Sequence, residues 1–73
     1  MLYKPYEQQV LELLAEGDAT MRGIIENINL YGVQHQAMLA RMQQDGWVNI
    51  TKFTYSLTDV GRAVLTGMQR KVA

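Results

Sequence analysis

The sequence predicts an α+β fold, mostly helical: three helices, a short β-hairpin and a C-terminal helix in a single domain. Three observations predict it. Apolar residues recur at helical spacing in four segments. Two short runs of β-favouring residues stand between the third and fourth of these segments, at Trp47–Thr51 and Phe53–Leu57. Glycines and small polar residues fall where the periodic segments should start or stop.

The first helix opens at Lys4-Pro5, with proline suited to the first helical position because its missing N–H has no partner there anyway. Tyr6, Val10, Leu13 and Leu14 form its apolar face, Leu11 widens it, and Gly17 stops it. Asp18-Ala19-Thr20 begins the second helix, with Asp18 or Thr20 as its cap. Met21, Ile24, Ile25 and Ile28 supply the core side. Gly23 weakens this helix by about 1 kcal/mol relative to alanine, which suggests a need for close packing. Asn29 to Gly32 reads as a short break.

His35, Met38, Leu39 and Met42 give the third helix its apolar stripe, and Gly46 ends it. On that stripe, His35 reads as a partly buried core residue and the methionines as packing. The two β runs meet around Lys52 in a tight hairpin whose turn type stays open, because no Asn-Gly or Asp-Gly marks the tip. Trp47 reads as the residue that seals the hairpin against the helices. Thr58 caps the last helix, about residues 58–71, and Val60, Val64, Leu65 and Met68 provide its apolar positions. Tyr3, Tyr6 and Tyr31 are core edges or interface residues.

The chain has 73 residues, which sets one domain, residues 1–73, with a core at about 5–66. It has no cysteine and one histidine, so disulfides are excluded and neither a structural metal nor any cofactor is expected. A domain this small gains support from a second copy, so a homodimer is expected. No apolar run approaches the ~18 residues that span a bilayer, and the N-terminal residues lack the apolar core of a signal peptide. The expectation is a cytoplasmic protein with no membrane partner. An enzyme is not expected: no nucleophile–base set, Gly-rich phosphate loop or G-x-S-x-G motif occurs.

Net charge is zero but unevenly spread. Residues 1–30 carry two basic and five acidic side chains, and residues 31–73 carry five basic and two acidic ones. That asymmetry of −3 against +3 suggests one basic working face.

Two segments carry a family resemblance. "MLARMQQDGWV", Met38 to Val48, resembles the end of a winged-helix recognition helix and its glycine exit. "YSLTDVGRAVL", Tyr55 to Leu65, resembles the Tyr-x-Leu-Thr-x-x-Gly-x-x-x-Leu segment that closes the wing in MarR- and PadR-type regulators. The resemblance spans roughly residues 7 to 66 and implies a winged helix-turn-helix domain. It implies a sequence-specific, double-stranded-DNA-binding transcriptional regulator, a homodimeric repressor with the third helix in the major groove and the hairpin as wing. On that reading Gln34 and Gln36 meet base edges, where an amide pairs with adenine. Ala37 lies on the same surface. Arg41, Lys52 and Arg22 are phosphate contacts. Other readings stay open beside these. The glutamines suit a solvated helix surface, Arg41 suits an ion pair with Asp45, and Lys52 suits a solubilising turn charge. The alternative function is a winged-helix protein-interaction module, or an accessory subunit that does not itself bind DNA.

Overall fold

The computed structural model describes residues 5–28 and 35–70. Its elements, in chain order, are α1 (Tyr6–Glu16), β1 (Ala19–Thr20), α2 (Met21–Ile28), α3 (His35–Gln44), β2 (Val48–Thr51), β3 (Thr54–Leu57) and α4 (Asp59–Arg70). The fold is α+β and mostly helical, with four helices and one three-stranded antiparallel sheet of order β1-β3-β2. The expected break at Asn29–Gly32, together with Tyr3, Tyr31 and Gln34, lies outside the described residues.

Helix α1 starts one residue later than expected. Pro5 is its N-cap, with an extended ψ of 151°, and the Gln9 N–H donates to the Pro5 carbonyl at 3.1 Å. The side chains that α1 buries are Val10, Leu11 and Leu14, whereas Leu13 and Tyr6 flank them. Gln8 is also buried; its Nε2 donates to Glu12 Oε2 at 3.2 Å, and Gln69 on α4 donates to the same oxygen at 3.4 Å. This polar clasp supplements the apolar packing of α1 on α4.

Residues Ala19 and Thr20, expected to open a helix, form a strand instead. Ala19 pairs with Tyr55 and Thr20 with Thr54, so β3 is the central strand. A two-residue strand leaves no alternation to read in a sequence, and the partner that defines it is 34 or more positions away. Thr20 still caps α2: its Oγ1 accepts the Gly23 N–H at 3.1 Å. Close packing does not explain Gly23. A Cβ there meets only Thr20 Oγ1 at 3.5 Å and Ala19 Cβ at 3.9 Å, ordinary contact distances.

The core joins all the helices to the sheet through Ile24 and Ile28 of α2, Leu39 and Met42 of α3, Val48, Tyr55 and Leu65. On α4 one expected core position is wrong: Val60 is 53% exposed, and buried Gly61 takes the core side in its place. Burial pushes the Tyr55 phenol above its ordinary pKa, so the ring sits neutral in the sheet.

Candidate nucleic-acid interface

Helix α3 divides into two faces. Leu39 and Met42 are buried and His35 and Met38 half-buried, as the apolar stripe requires. Gln36, Ala37, Ala40, Arg41, Gln43 and Gln44 are exposed. At 100° per residue these six share one side of the helix, with Ala37, Ala40 and Gln44 near its middle. The small alanines let the helix backbone approach a flat or grooved surface closely. Arg41 makes no ion pair among the described residues; the expected alternative partner, Asp45, does not engage it.

The exit from α3 is a tight glycine stop. Gly46 has φ 82°, its N–H donates to the Gln43 carbonyl at 3.0 Å, and the Trp47 N–H reaches the Met42 carbonyl at 2.9 Å. These two bonds satisfy the last carbonyls of the helix, and the left-handed residue between them is glycine because no Cβ obstructs it. Trp47 then lies half-buried against the core, in the sealing position expected for it.

That exit is tied to α4 by the segment that carried the family resemblance. The Thr58 Oγ1 hydroxyl donates to the carbonyl of Gly46 and lies 2.9 Å from that of Trp47. The Thr58 N–H donates to the Trp47 carbonyl at 3.2 Å, and Thr58 Oγ1 accepts the Gly61 N–H at 2.9 Å. Gly61 leaves room for this carbonyl, because a Cβ there would lie 2.0 Å from the Trp47 oxygen. Leu57-Thr58-x-x-Gly61 is therefore a latch. It fixes the hairpin's base against the end of α3.

The hairpin itself pairs Val48 with Leu57 through Thr51 with Thr54 and turns on Lys52 and Phe53 alone. Phe53, expected to begin the second strand, is in the turn. Both turn residues have positive φ, 49° for Lys52 and 69° for Phe53, the signature of a tight turn that matches strand twist. Lys52 is exposed at the tip, and so is Phe53, which was not expected as a site residue. The available signal was a hairpin tip with neither glycine nor asparagine.

Arg22 is engaged elsewhere. Its Nε donates to Glu26 Oε1 at 3.1 Å, one turn along α2. A phosphate contact by Arg22 would compete with this pair, although both side chains are largely exposed and the pair is weak. Beside α3 a cleft of about 630 Å³ runs between Glu7, Met38, Arg41, Asp45 and Trp47. No group of three or more acidic or histidine side chains among the described residues is placed to hold a metal. No described helix is long and apolar enough to cross a membrane. Compared with known proteins, the chain matches no family model, no curated protein and no solved structure.

Proposed function

We propose that this chain is a winged helix-turn-helix regulator that binds double-stranded DNA in a sequence-specific manner, without enzymatic activity. The observation that carries the reading is the outward side of α3. It is exposed, centred on alanines, and edged by Gln36 and by Arg41, which makes no ion pair among the described residues. A helix about 10–12 Å across matches a major groove about 12 Å wide. Gln36 would read adenine edges, Arg41 and Lys52 would hold phosphates, and Arg22 would contribute only by giving up Glu26. Gln34, outside the described residues, belongs to the same proposal. The regulator acts as a homodimeric repressor, covering two half-sites about one helical turn apart.

The test is a titration of labelled random-sequence duplexes with the protein at several salt concentrations, followed by sequencing of the bound fraction. The expected result is salt-sensitive binding that enriches an inverted repeat. Arg41→Ala should then weaken binding to all sequences alike and reduce the salt slope by about 1. Absence of binding at low salt would end the DNA reading.

A second reading is a protein-interaction module. The cleft favours it: Met38, Met42 and Trp47 offer an apolar floor, and Glu7, Arg41 and Asp45 a rim of mixed charge suited to a peptide with charged side chains. The zero net charge points the same way.

A further inference from the structure

The cleft beside α3 gathers three charges that the chain itself leaves unanswered. Glu7 comes from the first turn of α1, Arg41 from the last turn of α3, and Asp45 lies just past the end of that helix. None of the three side chains makes an ion pair or a hydrogen bond among the described residues. Asp45 also works against its own helix, because the C-terminal end of a helix favours cations and disfavours a carboxylate. Met38, Met42 and Trp47 line the same cleft and give it an apolar side. Its volume of about 630 Å³ falls within the roughly 300–1,000 Å³ of small-molecule sites.

The signs of these charges narrow the ligand. A simple cation would be drawn to Glu7 and Asp45 but repelled by Arg41, and a simple anion would meet two carboxylates. Arg41 and Asp45 stand one helical turn apart, which places their Cβ atoms about 5–6 Å from each other. A ligand that carries an ammonium and a carboxylate side by side answers both. Its ammonium suits Asp45 and Glu7, with the Trp47 ring adding a cation–π attraction. Its carboxylate suits the planar guanidinium of Arg41, which can hold both oxygens at once. An apolar side chain on the same ligand would cover the half-buried Met38 and Trp47 and remove their surface from water.

We propose that the cleft binds a free α-amino acid with a large apolar side chain, held at its ammonium by Asp45 and Glu7 and at its carboxylate by Arg41. The site stands on the cleft alone and holds whether or not α3 enters DNA. It differs from a peptide-docking surface in one chemical respect. Adjacent α-ammonium and α-carboxylate groups belong to a free amino acid, whereas a peptide carries them at opposite ends of its chain.

Trp47 is the chain's single tryptophan and lines the cleft, so its fluorescence reports occupancy directly. The experiment titrates the full chain, without DNA, with L-phenylalanine and L-leucine. Phenylalanine amide, N-acetylphenylalanine and glycine serve as controls that lack the carboxylate, the ammonium and the side chain in turn. Calorimetry repeats each titration, so that a silent fluorophore is not read as an empty cleft. The expected result is saturable binding of both amino acids, with each control about 10-fold weaker. Arg41→Gln should bind phenylalanine no better than its amide, and Asp45→Asn should bind it no better than its N-acetyl form. Both positions are exposed, so both variants should melt as wild type does. No saturable binding of either amino acid at millimolar concentration, by either readout, would overturn the site. Equal binding of phenylalanine and its amide would also overturn it and favour a cationic peptide partner. So would affinities that neither substitution changes.

Discussion

Gly61 shows how a single residue can hold two elements together. The hydrogen that stands in place of its side chain is what lets the Trp47 carbonyl approach and accept from Thr58. Gly61→Ala would place a methyl 2.0 Å from that oxygen and 2.8 Å from Leu57 Cδ1. Neither backbone can yield without opening the latch, so the substitution should cost on the order of 3 kcal/mol. Urea unfolding measures this directly; a loss under 1 kcal/mol would show that the latch is soft. The sequence marked Thr58 as a helix cap and Gly61 only through a resemblance. The reason for them is a contact between positions 11 or more apart, and no local pattern reports such a contact.

At the scale of elements, the helices were legible because each buries one side at a period of 3.6 residues. Their ends were legible where capping chemistry is local, as at Thr20, Gly46 and Thr58. Gly23 is different. Nothing crowds it, so its flexibility costs α2 stability without a packing return. Gly23→Ala should therefore stabilise the protein by about 0.5–1 kcal/mol, seen as a higher denaturation midpoint with an unchanged urea slope. A decrease would mean that the backbone at Gly23 must move. Strand β1 was not legible, because two residues gain strand geometry only from pairing with β3.

For the whole molecule, the proposed homodimer needs a surface that the chain's own packing leaves free, and Val10, Leu11 and Leu14 of α1 are buried in the chain's own core. Helix α1 packs on α2, β3 and α4. The outward side of α4, with Asp59, Val60, Ala63, Thr66 and Arg70 exposed, is the surface that remains for the proposed homodimer. Mass action then predicts a melting temperature that rises by a few degrees for each tenfold increase in protein concentration. Concentration-independent melting would remove the homodimer from the proposal.

By itself the sequence determined the α+β class, the helix order, most of the core and the exposed side of α3. These follow from periodicity, capping and burial, which neighbouring residues encode. Tertiary structure alone decided that Ala19 and Thr20 join the sheet, that Val60 faces outward while Gly61 packs, and that Phe53 stands bare at the hairpin tip. Each of these depends on where a distant strand or a side-chain rotamer ends up, and that position is set only when the chain closes on itself.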